Sequence, residues 1–259
     1  RFDMKYSQRP KYERRNETIA VLVMILLCIP VLFIYFSFFA NAFILDSTGE
    51  LTLQNFQFLY QPIQLSQYTV EPIGKAFRNT VIFTAIATTL EVTISCMAGY
   101  ALARMEFTGK RVISFSLLTL RLFPGVLLLI GVLYVLLHLG ILNTLTGVIV
   151  VAIALRLPGS TFIIRNFFAG IPQDIENSAL VDGCNRLTAF FQVIIHMVKP
   201  GLASISIFAF MSAWSNYLLF NVLIFNTKTP VLATYLRVLS RYDQMIADYG
   251  VFAAMAVVY

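Results

Sequence analysis

Three charged residues stand alone inside long apolar runs: Glu91, Arg121 and Arg156. Counted at ~1.5 Å of helical rise per residue from the ends of those runs, each falls near the middle of a membrane span. A charge at that depth is costly unless it is paired or faces water. One carboxylate and two guanidinium groups make one intramembrane ion pair, Glu91 with either Arg121 or Arg156. One reading ends there, with a purely structural pair; the functional alternative is that the arginine left over faces a central passage and donates hydrogen bonds to a polar solute. A second cluster, Trp214-Ser215-Asn216-Tyr217 with Asn221 one turn further on, has side chains suited to a sugar. A flat ring stacks on the apolar face of a pyranose, and an amide satisfies its hydroxyls. The same side chains also suit plain helix packing, the aromatic rings as filler and the amide as a link between helices.

Nothing else in the chain has the spacing of a catalytic site. There is no phosphate-binding glycine loop, no pair of placed carboxylates, and no serine or cysteine triad pattern. Cys28, Cys96 and Cys184 lie in or beside apolar runs with no paired spacing, so neither a disulfide framework nor a zinc site follows. His138 and His196 are too far apart in sequence to read as a metal pair. Of the 259 residues, 58% are hydrophobic and 12% are charged, and the mean hydropathy is +0.78. A soluble domain carries about 25% charged residues. The chain is therefore an integral membrane protein, and its net charge of +6 belongs to basic loops on one side of the membrane, with no need of nucleic acid.

The elements that must position these residues are helical spans. The basic tail 1–17 leads into a first span, Thr18 to Leu45, and residues 46–76 form a polar outer loop broken by Pro62 and Pro72. Further spans run from Phe77 to Ala103, Val112 to Leu137, Leu145 to Phe168 with a break at Pro158-Gly159, and Gly201 to Phe225. Asn226 to Tyr249 reads as a polar outer segment, and Gly250 to Tyr259 as the start of a sixth span that the sequence truncates. Twelve of the 19 Lys and Arg fall on the segments assigned inside, five on those assigned outside and two within spans. Basic residues collect on the cytoplasmic side, so this asymmetry sets the N-terminus in the cytoplasm.

Between the fourth and fifth spans the apolar pattern is interrupted from Ile171 to Pro200. Pro172 can open a helix, and Asp174 sits where the helix dipole favours negative charge. Asp182-Gly183 is turn chemistry, and a second amphipathic stretch, Leu187 to Met197, follows. Two short helices meeting at a right-angle turn are predicted. Ile171, Pro172, Ala179, Asp182, Gly183 and Pro200 resemble the EAA loop of permease subunits of ATP-binding-cassette importers, nearest the carbohydrate group and the branch of the second maltose-transporter permease. The family Glu falls on Asn177, with Glu176 one residue earlier, and the first family Pro falls on His196. The stretch Gly99-Tyr100-Ala101-Leu102-Ala103-Arg104, continuing to Gly109, is similar to the family's loop after this span. Trp214-Ser215-Asn216-Tyr217 is similar to its W-N-x-[FY] stretch, with Ser215 at the usual Asn position. The likeness runs from about Phe77 to Tyr259.

The resemblance implies an all-α polytopic bundle of six helices in a bacterial or archaeal cell membrane, whose core at 77–259 includes a cytoplasmic coupling loop at 169–199. It implies half of the channel of an ATP-driven, binding-protein-dependent sugar importer, with no catalysis in this chain. The implied partners are a second homologous permease, two ATPase subunits that bind the ATP and magnesium, and an extracytoplasmic solute-binding protein. Residues Glu176, Asn177, Ser178, Ala179, Leu180, Val181, Asp182 and Gly183 would form the lever that docks in an ATPase groove. Trp214, Asn216, Tyr217, Asn221 and the arginines would line the substrate path. Another polar solute, such as an amino acid, a polyamine or an anion, is the alternative cargo. A secondary transporter is the alternative class, but Glu91 is its sole intramembrane acid.

The charge asymmetry yields a direct test of topology. A cysteine placed at Asn185 is expected to react with an impermeant maleimide only from the cytoplasmic side, and one at Thr229 only from outside. The opposite pattern would reverse the assignment.

Overall fold

A computed structural model of the chain describes residues 11–45, 49–65, 68–225, 229–242 and 249–259. Residues 1–10 of the predicted tail and Lys228 of the predicted outer segment lie outside the described residues. The chain divides into two compact units, residues 1–72 with 239–259, and residues 73–238.

In the first unit, helix α1 (Lys11–Ala42) begins before the predicted span and carries Pro30 without a break. Its apolar residues are exposed along most of its length, as suits a helix bathed in lipid. The segment read as a plain outer loop has structure of its own. A 3₁₀ turn (Gln54–Leu59) is followed by an antiparallel hairpin of β1 (Ile63–Leu65) and β2 (Tyr68–Val70). Buried Asn55 donates from Nδ2 to the carbonyls of Ala42 (3.1 Å) and Ile44 (2.9 Å), which satisfies the loose carbonyl end of α1. The final helix α11 (Tyr249–Val258) packs on α1, and Gly250 meets Asn55 so closely that a Cβ there would collide with the amide.

The second unit is built on two long helices, α2 (Gly74–Arg104) and α5 (Leu145–Ala169), packed along each other. Gly99 on α2 lets them approach, since a Cβ there would run into Ile164 of α5. The apolar core at this end joins Cys96, Tyr100, Ile164, Phe168, Phe190, Ile194 and Ile205. Pro158 does not break α5 as predicted. A proline costs one backbone hydrogen bond, on the order of 3 kcal/mol in a helix interior, and the contact along α2 holds the helix across it.

The third predicted span is not one helix. It forms α3 (Lys110–Leu120) and α4 (Gly125–His138), with 106° between them. Pro124 explains the break: it disfavours helical backbone at Phe123, and it stands as the extended cap of α4 with ψ 120°. The fifth span is also interrupted. Helix α8 (Lys199–Trp214) is followed by two non-helical residues, Ser215 and Asn216, before α9 (Tyr217–Leu223) begins. Asn216 caps α9, its side-chain oxygen accepting from the Leu219 N–H at 3.4 Å. The segment read as a polar outer stretch contains α10 (Leu232–Tyr242), whose Leu232, Ala233 and Tyr235 are buried. Its start is fixed to α2: the Leu232 N–H donates to Thr80 Oγ1 at 2.9 Å, and Asn79 Nδ2 donates to the Pro230 carbonyl at 2.8 Å.

Among the described residues, three helices are long and apolar enough to cross a membrane singly, and five spans result if each bent pair counts as one. The architecture is an all-α, multi-pass membrane bundle with one small hairpin.

Candidate functional site

Two features of the second unit bear on function, and both are mounted on α2 and α5. The first is a cavity of about 310 Å³ between α2, the α3–α4 corner, α5 and α8. Glu91 is buried in its wall. Arg156 and Ser160 stand one turn apart on α5, which puts both side chains on the face toward Glu91. Arg156 Nε lies 3.0 Å from Glu91 Oε2, an ion-pair distance without hydrogen-bond alignment, while Ser160 Oγ donates to Oε1 at 2.6 Å. The alternative left by the sequence is thereby resolved: Arg156 is the partner of Glu91. Arg121 sits at the α3–α4 break, exposed at the cavity, with its guanidinium across from Gly159. Phe123, Ile205, Phe208 and Ser212 complete the apolar and hydroxyl lining.

The second feature is the polar interruption. Pro172 caps α6 (Gln173–Val181) with extended backbone, and Asp174 and Glu176 occupy its first turn. Gly183 then turns the chain with φ +89°, a value that suits glycine, as predicted. Asn185 caps α7 (Arg186–Met197), accepting from the Thr188 N–H at 2.8 Å. A π turn at Phe190–Ile194 interrupts α7, and the chain bends by 78° into α8. Val198 lies at this bend and Pro200 in the first turn of α8, so the corner forms without a proline at His196.

Glu176 is not an outward contact. Its carboxylate is buried against the end of α2, where Tyr100 Oη donates to Oε1 at 2.7 Å and Arg104 Nε lies 3.6 Å from Oε2. Arg104 also donates from Nη2 to the Ile171 carbonyl at 2.5 Å, so one guanidinium holds both the entry to α6 and its first turn. Ala179 is buried on the same face. Of the eight residues assigned to the lever, Asn177, Ser178, Val181, Asp182 and Gly183 face outward, Val181 at 87% exposure, and Leu180 is half-buried. Glu176 and Ala179 therefore seat the helix, and its opposite face is exposed.

The tryptophan cluster does not join the cavity. Trp214 stacks on Phe210 of its own helix and meets the Phe77 ring edge-on at 6.1 Å. Asn216 is spent on the cap of α9, and Tyr217 is half-buried in the first turn of that helix. Asn221 is half-buried, and its Oδ1 accepts from Arg237 Nη1 at 3.0 Å. Sequence reasoning placed Tyr100 and Arg104 only in the stretch similar to the family's loop, without joining them to Glu176, and it missed Ser160. The spacing of Tyr100 and Arg104, four residues apart just before a polar loop, was a usable signal for a pair facing that loop. A lone serine in an apolar helix offers no such signal.

The ion pair can be tested by rescue. Glu91→Ala leaves Arg156 without its carboxylate, a loss of about 3 kcal/mol for a largely buried pair, and should lower the yield of monodisperse protein extracted from membranes. Combining it with Arg156→Gln should recover much of that yield, whereas combining it with Arg121→Gln should recover none. Rescue by Arg121→Gln instead, or by neither change, would overturn the pairing.

Comparison with known proteins extends this geometry to a family. The family described as "Binding-protein-dependent transport system inner membrane component" matches residues 91–259. The diacetylchitobiose uptake system permease protein NgcG of Streptomyces coelicolor is 32% identical over 247 residues, which cover 93% of this chain and 80% of that one. The sulfoquinovosyl glycerol transport system permease protein SmoH of Agrobacterium fabrum is 32% identical over 73% of this chain and 67% of its own. The trehalose transport system permease protein SugB of Mycobacterium tuberculosis is 31% identical over 66% of this chain and 60% of its own. In fold, the chain is similar to one from the crystal structure of a bacterial ABC transporter that imports the acidic polysaccharide alginate. The TM-score is 0.77 at 18% identity, over 96% of this chain and 93% of that one. With its multi-pass helical bundle and a family match from Glu91 to Tyr259, the chain belongs to the inner-membrane permeases of binding-protein-dependent transport systems.

Proposed function

We propose that this permease forms half of the membrane pathway of an ATP-driven carbohydrate importer. It pairs with a second homologous permease, receives its solute from an extracytoplasmic binding protein, and couples to two ATPase subunits that bind ATP and magnesium. Its N-terminus and its α6–α7 loop lie in the cytoplasm, on the side favoured by twelve of the 19 basic residues. The named substrates of the similar permeases, diacetylchitobiose, sulfoquinovosyl glycerol and trehalose, support a saccharide as the cargo.

The observation that carries the coupling reading is the two-faced seating of α6. Its inner face is locked by Glu176 to Tyr100 and Arg104, while Asn177, Ser178, Val181 and Asp182 project from the other. A short helix that is rigid on one side and free on the other can transmit a push from an ATPase groove into α2. Solute would pass by the cavity of Arg121 and Arg156, and the Trp214–Tyr217 segment shapes the break between α8 and α9.

Gly183 tests this reading without disturbing packing, because nothing lies within 4 Å of where a Cβ would stand. A β-branched residue at φ +89° is strained by roughly 1–2 kcal/mol, enough to misaim α6 relative to α7. Gly183→Val should therefore insert normally and keep its partner permease, but lose ATPase copurification or substrate-stimulated hydrolysis. Normal docking with full transport would show that the loop is only a linker.

A further inference from the structure

The cavity between α2, the α3–α4 corner, α5 and α8 carries more positive charge than its own walls neutralise. Its ionisable lining consists of Glu91, Arg121 and Arg156, one negative group against two positive ones. Glu91 is committed: Arg156 Nε lies beside Oε2 and Ser160 donates to Oε1. The Nε, Nη1 and Nη2 of Arg156 are all buried and without a hydrogen-bond partner among the described residues, so Arg156 stays in the wall beside Glu91 and leaves Arg121 as the cation open to the cavity. Arg121 is exposed at the cavity, and Gly159 leaves room for its guanidinium, whose Nε lies 3.7 Å from where a Cβ would stand. Buried N–H donors are nearly always satisfied in folded proteins, and an uncompensated charge at membrane depth marks a functional site. The guanidinium fork matches the two oxygens of a carboxylate or sulfonate. Phe123 and Phe208 supply apolar ring faces, and Ser212 adds a hydroxyl. A cavity of about 310 Å³ is at the small end of ligand sites, suited to a sugar residue or two rather than a long chain.

We propose that this cavity binds a saccharide unit bearing a single negative charge, a carboxylate or sulfonate, with the guanidinium of Arg121 holding the anion and the phenylalanine rings the sugar. The proposal rests on the carbohydrate reading above and narrows it to acidic cargo.

The test uses the full chain with its copurifying subunits in zwitterionic phosphatidylcholine nanodiscs. Binding of galacturonate, glucuronate and 6-sulfoglucose is compared with that of galactose and glucose, by calorimetry. At least one acidic sugar should bind roughly tenfold or more tighter than its neutral counterpart. Arg121→Gln should abolish that preference, and Arg121→Lys should keep part of it. Arg121 makes no ion pair among the described residues, and the thermal stability of Arg121→Gln should match the parent. Equal binding of acidic and neutral sugars, no binding of any acid, or a preference that survives Arg121→Gln would each overturn the proposal. Full displacement of the acidic sugar by equimolar inorganic phosphate or by phosphatidylglycerol would also overturn it, because the site would then be a general phosphate or headgroup site. ATPase copurification with the same preparation scores the importer reading separately, so the failure of one is not mistaken for the failure of the other.

Discussion

A carboxylate buried where the bundle meets the polar loop is the constraint on which the rest depends. Glu176 is 5% exposed, and an ionised group so placed must be paired and hydrogen-bonded to be tolerated. Tyr100 and Arg104 meet that demand from one turn of α2, and Arg104 extends the same hold to the Ile171 carbonyl. Removing one partner of such a pair costs about 3–5 kcal/mol, far more than the pair adds over an apolar substitute. The network is therefore better understood as a device for orientation. It fixes which face of α6 looks inward, and so which residues are left exposed.

The two functional features are joined by the same two rods. Glu91 in the cavity and Arg104 at the loop lie on one unbroken helix, separated by about 20 Å at 1.5 Å per residue. Arg156 and Ser160 stand on α5, which packs along α2, and Gly99 holds the two helices close near the loop. Under the proposed coupling, a displacement of α6 would reach the level of the cavity through these two helices. The corner between α3 and α4 belongs to this scheme as well. Pro124 breaks the helix so that Arg121 projects from a turn toward α5.

Much of this was legible in the sequence because the membrane simplifies the problem. Long apolar runs, basic asymmetry and glycine-proline punctuation identified the class, the loop and the turn at Gly183. Glu91 was marked as needing a partner simply because a lone carboxylate cannot remain at that depth. What failed was everything decided by tertiary packing. Pro158 and Pro124 look alike in sequence, yet the helix continues through Pro158, where it packs along α2, and breaks at Pro124. Leu232 to Tyr242 was read by its polarity as a loop, although its apolar residues recur at helical spacing and bury against the bundle. Asn221 has the right chemistry for a sugar, and nothing in the sequence joins its Oδ1 to Arg237, sixteen residues away. The inward turn of Glu176 depends on Tyr100, which a pass along the chain had no reason to join to it.

The central claim is that the Glu176–Arg104 contact ties the outward-facing loop helix to the bundle and carries the coupling between them. A charge swap measures this most directly, with substrate-stimulated ATP hydrolysis by the purified complex as the readout. Arg104→Glu and Glu176→Arg should each abolish stimulation while the chain still inserts, and the double swap should restore a substantial fraction of it. Undiminished stimulation in either single variant, or a double variant no better than the worse single one, would contradict the account.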